Sequence, residues 1–245
     1  MANGVRGRLP ELLLGLVATA VAIVITGIVV ANAIRDVKRA RDTIQVTGSA
    51  RDPIEADLVH WRLSVSAQAI KPQDAVRLLT SRRKAVLAFL HGGGLPDSAV
   101  SLLPVAAFPT SVLVAPKHRV PALRVVQRFR VSSTEVDKVE RVAGSTTDLL
   151  ARGIPLSTSD LAYLTTNIAQ ARLRALTKAI ADAHRRAETI VKGIGGHLGS
   201  VRSAQLGVYQ IIPRNSTAVS DYGINDTTSR LKDVYAVVSV TFRVH

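Results

Sequence analysis

The chain has 245 residues, a formal net charge of +14 at pH 7 and no cysteine. Without cysteine, the sequence excludes disulfides, thiolate metal sites and cysteine nucleophiles. The excess of 32 basic over 18 acidic residues favours anionic neighbours such as lipid headgroups, acidic polymers or nucleic acid. Aromatic residues make up only 4% of the chain, which argues against recognition of single-stranded nucleic acid by base stacking.

An uncharged apolar run covers residues 12–34, between Glu11 and Arg35. As a helix rising about 1.5 Å per residue, this run would extend roughly 34 Å, which is enough to cross the hydrocarbon core of a bilayer. We therefore predict a single transmembrane anchor. The small-x-small sequence Ala31-Asn32-Ala33 leaves a cleaved, secreted form open as an alternative, although the apolar part of a signal peptide is usually only about 7–15 residues long.

The anchor divides the chain into four predicted segments. These are an N-terminal tail (residues 1–11), the transmembrane anchor (12–34), a basic juxtamembrane linker (35–42) and a globular domain (43–245). Two arginines precede the apolar run and four basic residues follow it within the linker. By the positive-inside rule this small difference places the globular domain in the cytoplasm.

The globular domain begins with a strand pattern. Residues 43–50 contain alternating β-forming residues and end in a Gly-Ser turn signal. Asp52-Pro53 predicts a hairpin connection to a second, longer strand over residues 54–69. On that second strand every other residue is apolar and predicts a buried face. The members of this face are Val59, Trp61, Leu63, Val65 and Ala67.

Three segments have helical patterns. Pro72 opens a helix that continues to Leu90, and Gly92-Gly93-Gly94 ends it. Its apolar stripe consists of Ala75, Leu79, Val86 and Leu90. A second helix is expected over residues 133–150. The third and longest, residues 167–192, has an alanine at every fourth position from 171 to 187, which allows close packing.

The remaining segments predict strands. Five prolines between residues 95 and 121 indicate short or edge strands there. Further strands are expected over residues 120–132, 159–165, 201–212 and 233–244, with a long polar loop over residues 214–230. We predict the α+β class, with a mostly antiparallel sheet, helices packed on one face and two related β-β-α-type halves.

Three stretches resemble, in this order, the bacterial SIMPL-domain family and are most similar to its membrane-anchored branch. They are TIQVTGSARDPIEADLVHWRLSVSAQA, AQARLRALTKAIADAHRRAETIVKGIGGHLGSV and GVYQIIPRNSTAVSDYGINDTTSRLKDVYAVVSVTF. The resemblance implies an α+β fold, a position on the outer side of the cytoplasmic membrane, homo-oligomers and a link to envelope and oxidative-stress tolerance. The resemblance identifies no catalytic residues in this chain. Because of it, we expect the domain on the outer, periplasmic side, against the charge count.

No recognisable active site emerges from the sequence. Nucleophile elbow, phosphate-loop and dinucleotide-binding motifs are missing. His184 and Glu188 lie four residues apart on one helix face, but a third metal ligand is not evident. Glu55 and Asp57 share a strand face, where an exposed polar edge competes with an acid/base pair as the interpretation. We expect no enzymatic activity and no cofactor.

Two sets of residues are candidates for interactions. The first is a group of arginines that point opposite the apolar faces of their strands and could share the uncovered side of one sheet, either as a solvated surface or as a basic interaction surface: Arg62, Arg124, Arg128, Arg130 and Arg243. The second set lies in the long loop and comprises Asp221, Tyr222, Asn225 and Asp226.

These observations leave three hypotheses. The first is a membrane-anchored, self-assembling, non-enzymatic envelope protein that supports envelope or oxidative-stress tolerance. The alternative is a basic binding module for anionic lipid, cell-wall polymer or nucleic acid, with nucleic acid disfavoured by the few aromatics. A third, ranked below both, is an unrecognised hydrolase or metal enzyme.

Overall fold

A computed structural model of the chain describes residues 15–17, 19–30 and 42–245. Residues 15–17 and 19–30 are helical and exposed. Within the described residues, no helix is both long and apolar enough to cross a membrane. The predicted tail, most of the linker, part of the apolar run and the sequence Ala31-Asn32-Ala33 lie outside the described residues, so the anchor stays a prediction.

Strands and helices alternate irregularly from Thr43 to the C-terminus. The strands are β1 (Thr43–Glu55), β2 (Leu58–Ala69), β3 (Val100–Leu102), β4 (Ala106–Ala115), β5 (His118–Ser133), β6 (Leu156–Thr158), β7 (Ala162–Leu164), β8 (Leu198–Leu206), β9 (Gln210–Pro213) and β10 (Leu231–Val244). The helices are α1 (Pro72–Gly92), α2 (Val136–Gly144), α3 (Thr147–Ala151) and α4 (Ile168–Gly193). A short 3-10 turn covers Asp97–Ala99.

The chain folds as two compact units. The smaller consists of the described parts of Met1–Gly48 together with Ile180–Leu206 and Val238–His245. The larger consists of Ser49–Ala179 and Gly207–Val237. Three of the four boundaries between them fall inside β1, α4 and β10, and the fourth follows the end of β8.

The larger unit contains a six-stranded sheet with the order β3-β5-β2-β6, in which β4 also pairs with β5 and β7 with β2. All of these pairings are antiparallel. The predicted apolar face of β2 is buried, and Trp61 is only 1% exposed. Helices α1 and α2 pack against this face through a common apolar core, whereas Arg62 and Arg130 on the opposite face are exposed. The α+β class with helices on one face is therefore confirmed for this sheet.

Helix α1 follows its sequence pattern closely. Its predicted stripe of Ala75, Leu79, Val86 and Leu90 is buried. Pro72 stands in its first turn, where the missing amide proton costs nothing. The helix stops at Gly92, and Gly94 has a φ of +80°, which favours glycine.

A second sheet of four strands has the order β1-β10-β8, with β9 also paired to β10. Residues 232–235 of β10 pair with β9, and residues 238–244 pair with β8. In α4 the predicted alanine ridge is confirmed, because each of its members is at most 1% exposed: Ala171, Ala175, Ala179, Ala183 and Ala187.

The hairpin predicted at Asp52-Pro53 is wrong. Strand β1 continues through both residues to Glu55, and only Ala56 and Asp57 separate it from β2, which belongs to the other sheet. Proline fits here because β1 is an edge strand of its sheet, where a missing main-chain donor need not break a ladder.

Three further elements differ from their predictions. The hydroxyls of Ser145 and Thr146 donate to carbonyls of the preceding turn and separate α2 from α3. The strand predicted over residues 159–165 is shortened to β7, and β6 precedes that range. Gly207 separates β8 from β9, and a Cβ there would lie 3.1 Å from the Val237 carbonyl oxygen. The division into two related halves stays a prediction.

Candidate functional site

Arginine and serine side chains form a regular pattern on the uncovered face of the larger sheet. Arg62 on β2 lies directly opposite Arg130 on β5, and two residues further along Ser64 lies opposite Arg128. On the other side of β2, Ser64 also lies opposite Ser157 of β6. Since side chains alternate between faces along a strand, these five residues point to the same side.

A pocket of about 280 Å³ lies among these residues. Arg62, Arg128 and Arg130 line it together with Ser64 and Ser157. The three arginines are exposed to solvent. Three of the five predicted arginines thus line one pocket. They form the arginine pocket, a name kept below for the site around Arg62, Arg128 and Arg130.

The arginine pocket has an uncompensated positive charge. Among residues 42–245, no ion pair joins Arg62, Arg128 or Arg130 to a carboxylate. Like charges directly opposite each other in an antiparallel pair are destabilising. An anion placed between the guanidinium groups would reduce this repulsion and could accept two parallel N–H bonds from a guanidinium.

Buried polar contacts hold the strands around the pocket in place. The indole Nε1 of Trp61 donates to Oγ1 of Thr158 at 2.5 Å, which ties β6 to β2 from the core side. The side chain of Gln127 is buried, and its Nε2 donates to the carbonyl oxygens of Leu103 and Arg128 at 2.6 and 3.0 Å. These hydrogen bonds fix the positions of the strands that carry the lining residues of the pocket.

Two of the predicted arginines lie elsewhere. Arg124 is exposed on the same face of β5, opposite Gln68, but it does not line the pocket. Arg243 belongs to β10 in the other sheet, so its assignment to a common sheet face is wrong. The sequence could not reveal this difference, because strand alternation gives the face of each side chain but not the sheet to which its strand belongs.

The loop candidates separate into two pairs. Asp221 and Tyr222 are exposed, and Tyr222 is 98% accessible. Asn225 forms a parallel bridge with Ile211 of β9, and the amide of Asp226 donates to the Ile211 carbonyl at 2.9 Å. The second pair also lines a cavity, whereas the first faces solvent.

The carboxyl group of Asp226 accepts hydrogen bonds from Thr228 and Ser229. Burial raises the pKa of this carboxyl, but hydrogen bonds from Thr228 and Ser229 outweigh that effect, and its pKa lies below the usual value. Oδ1 accepts from the amide and the hydroxyl of Thr228 at 2.9 and 2.8 Å. Asp226 therefore stabilises its own turn as an anion.

The candidate acid/base pair is divided between two separate contacts. Glu55 accepts from Nε of Arg230 at 2.9 Å, and Asp57 accepts from the amide and hydroxyl of Thr166 at 2.7 and 2.6 Å. His184 packs edge-on against Phe242, while Glu188 pairs with Lys192 at 2.8 Å. No group of three His, Asp or Glu side chains in the described part of the chain is placed to hold a metal ion.

Sequence analysis missed a cluster around Arg230. Its guanidinium pairs with Glu55, Asp137 and Glu140. Glu140 Oε1 in turn accepts from the hydroxyl of Tyr163 at 2.7 Å. Burial and this bond raise the pKa of Tyr163 to about 12. No local signal identified the cluster, because its members are up to 175 residues apart in sequence.

A buried lysine was also missed. Lys232 is 2% exposed, and Nζ donates to the carbonyl oxygens of Tyr163 and Asp226 at 2.6 and 2.5 Å. Burial lowers the pKa of Lys232, and the nearby Asp226 carboxylate opposes that shift. The sequence contained one signal, because Lys232 and Asp233 lie near the start of a mostly apolar strand, and lysine is rarely fully buried.

The sequence matches a protein-family model. No curated protein is similar to the sequence. Residues 44–242 match the SIMPL family, which is described as a protein of unknown function (DUF541). This match spans β1 to β10, covers most of the chain and agrees with the resemblance found in the sequence. The chain belongs to the SIMPL family.

Proposed function

We propose that this protein is a non-enzymatic binding module of the cell envelope, held at a membrane by residues 12–34, whose arginine pocket binds an anionic polymer or lipid. The observation that supports this proposal best is the convergence of Arg62, Arg128 and Arg130 on one uncovered sheet face without a carboxylate partner among residues 42–245. Each guanidinium offers a planar pair of donors that matches a carboxylate or a phosphate.

Salt dependence and charge reversal test the anionic partner. We expect the full chain, solubilised in detergent, to bind poly-glutamate or phosphatidylglycerol vesicles, and to bind more weakly as salt rises. Arg128→Glu and Arg130→Glu should each weaken binding about tenfold or more, because each loses a charge-assisted contact. Phosphatidylcholine vesicles serve as the neutral control, and comparison of the two anionic probes separates polymer from lipid.

A matched variant is available on the covered side of the same sheet. Lys84 is exposed on α1, which packs on the opposite face, so Lys84→Glu changes the net charge equally without altering the pocket. It should leave affinity close to that of the original protein. Binding that is insensitive to salt, or an equal loss with Lys84→Glu, would count against the arginine pocket.

Self-assembly is a second candidate function, and strand β4 favours it. β4 pairs only with β5 among the described strands, so its other edge has unpaired main-chain groups. Phe108, Leu113 and Val114 on this strand are between 47% and 57% exposed. An exposed apolar edge is a template for pairing with another chain, here a second copy of the protein.

Sizing by light scattering tests assembly. We expect a defined homo-oligomer from the solubilised full chain, and dissociation with Phe108→Lys plus Leu113→Lys. Leu173→Lys is the control, since Leu173 is 64% exposed on α4 instead of β4. A strictly monomeric original protein at high concentration would contradict assembly.

The position in the envelope rests on two sequence observations. The apolar run supports anchoring, and the resemblance to membrane-anchored members supports the outer side and a role in envelope or oxidative-stress tolerance. Reporter fusions at the C-terminus test the orientation: an outward domain predicts an active periplasmic reporter and an inactive cytoplasmic one. The reverse pattern would favour the side given by the flanking charges.

A further inference from the structure

A second cavity of about 300 Å³ lies at the start of α4, away from the arginine pocket. All of its lining residues belong to the larger unit. Leu58, Leu164 and Ile211 give it apolar walls, whereas Lys232, Thr165 and Arg172 add polar groups. We call it the Lys232 cavity. Its volume is at the lower end of the range of small-molecule sites, about 300–1,000 Å³.

Lys232 has an unused donor at this cavity. Its ammonium group has three N–H donors, and two of them go to the carbonyl oxygens of Tyr163 and Asp226. The described residues provide no acceptor for the third. The side chain is buried and lines the cavity, and a buried charge without its full set of partners is costly.

Thr165 supplies an independent observation. Its Oγ1 is buried and has no hydrogen-bond partner among the described residues. A buried hydroxyl left in this state destabilises the fold unless something in the cavity satisfies it. Thr165 and Lys232 line the same space, so two groups with unused hydrogen-bonding capacity face one cavity.

The charges around the cavity favour an anion. Arg172 is exposed beside it, with its guanidinium carbon 5.9 Å from the ring centre of Tyr209. Asp226 also lines the cavity, but its carboxyl oxygens already accept from Thr228 and Ser229. The first turn of α4 has no acidic residue, so its N-terminal end adds positive potential without an acidic side chain in that turn to neutralise it.

We propose that the Lys232 cavity binds a small organic carboxylate with an apolar body. One carboxylate oxygen would accept from Nζ of Lys232 and the other from the hydroxyl of Thr165, while the apolar body fills the space beside Leu58 and Ile211. Inorganic phosphate lacks such a body and leaves those walls uncovered. This inference goes beyond the proposed function, because it involves neither the arginine pocket nor an envelope polymer.

Benzoate is a suitable probe, and its neutral amide is the matched control. We expect calorimetry of the detergent-solubilised full chain, measured against detergent alone, to give one benzoate site per chain. Benzamide should bind about tenfold more weakly, because it loses the charge-assisted bond to Lys232. Phosphate should bind more weakly than benzoate. Equal affinity for benzoate and benzamide, or no benzoate binding, would overturn the proposal.

Two variants localise the site. Thr165→Val keeps the shape and removes the hydroxyl, so benzoate affinity should fall severalfold. Thr177→Val is its control, because the Thr177 hydroxyl is exposed on α4 and donates to the Leu173 carbonyl. Unchanged affinity in Thr165→Val would contradict the site.

Lys232→Met should abolish benzoate binding, and circular dichroism must confirm that this variant folds, since Lys232 also holds two carbonyls. If it does not fold, Arg172→Gln replaces it, with a predicted loss of severalfold. Arg128→Glu should leave benzoate binding unchanged while it weakens binding to poly-glutamate. This pair of results separates a failure of the cavity from a failure of the arginine pocket.

Discussion

Arg62 and Arg130 occupy directly opposed positions on two adjacent antiparallel strands. Opposed residues in such a pair have Cβ atoms about 4.5–5.5 Å apart, so two like charges here lower stability. We predict that Arg130→Thr raises the free energy of unfolding by roughly 0.5 kcal/mol at low salt. Urea denaturation measures this gain, which should shrink as salt screens the repulsion. Anion binding should weaken in the same variant, and a variant that loses stability would contradict the repulsion.

Asp52 forms ion pairs with Arg174 and Lys178, so its substitution should change stability in a way that depends on pH. Its buried carboxyl accepts from Lys178 at 2.5 Å and from Arg174 at 2.9 Å. Burial raises the pKa of this carboxyl, but the two cations outweigh burial and bring it below its usual value of 3.8. A lowered pKa in the folded state means stability that is present above pH 3.8 and lost as pH falls below it.

We therefore expect Asp52→Asn to lower the free energy of unfolding by about 2 kcal/mol at neutral pH, because two hydrogen bonds lose their charge. The difference from the original protein should narrow as pH falls below 3.8. Denaturation at a series of pH values measures it. Asp148→Asn, an exposed residue on α3, is the control. A difference that stays constant into acid would contradict the ion pair.

Local patterns predicted the elements whose signals are local. The period-2 alternation from Val59 to Ala67 identified the buried face of β2, and the spacing of Ala75, Leu79, Val86 and Leu90 identified the buried face of α1. Three of the predicted arginines meet because β2 and β5 pair with each other, a pairing that alternation alone does not contain. Arg243 illustrates the limit, since its strand joins a different sheet.

Long-range contacts account for what sequence reasoning missed. Asp52-Pro53 has the composition of a turn, yet β1 stays extended there because Asp52 meets Arg174 and Lys178, more than 120 residues later. The Lys232 cavity is formed by β2, β7, the start of α4, β9, the long loop and β10, so no single segment shows it. In both cases the deciding interaction joins residues that are distant in sequence.

Tyr163 gives a prediction at alkaline pH. Its pKa is raised to about 12 by burial and by donation to the Glu140 carboxylate. A raised pKa in the folded state means stability that is full below the usual value of 10.0 and lost as pH rises toward 12. Tyr163→Phe should lower the free energy of unfolding by about 1 kcal/mol at pH 7.

The difference in the free energy of unfolding between the original protein and Tyr163→Phe should narrow above pH 10. Absorbance titration of the phenolate provides a second measurement, in which the last of the four tyrosines to ionise disappears in Tyr163→Phe. Tyr222→Phe is the control, since Tyr222 is 98% exposed. If the phenolate that disappears in Tyr163→Phe is one that ionises near pH 10, and the last phenolate to ionise is still present, the prediction for Tyr163 is wrong.

Gly93 and Val142 lie so close that a methyl group does not fit between them. A Cβ built on Gly93 would lie 2.3 Å from Cγ2 of Val142, which is buried in the core. We predict that Gly93→Ala lowers the free energy of unfolding by about 1–3 kcal/mol, as overpacking does elsewhere. Because φ at Gly93 is −77°, alanine meets no backbone penalty there, and the loss comes from the contact alone.

Neighbouring Gly92 provides the matched control for this contact. A Cβ on Gly92 would meet nothing within 4 Å, and Gly92 is the last residue of α1. Gly92→Ala should therefore leave stability unchanged or raise it slightly, since alanine restricts the unfolded chain. Val142→Ala should restore much of the stability lost in Gly93→Ala, so that the two changes together cost less than the sum of their separate effects. Additive losses in this double-mutant cycle would mean that α1 and α2 do not pack through this pair.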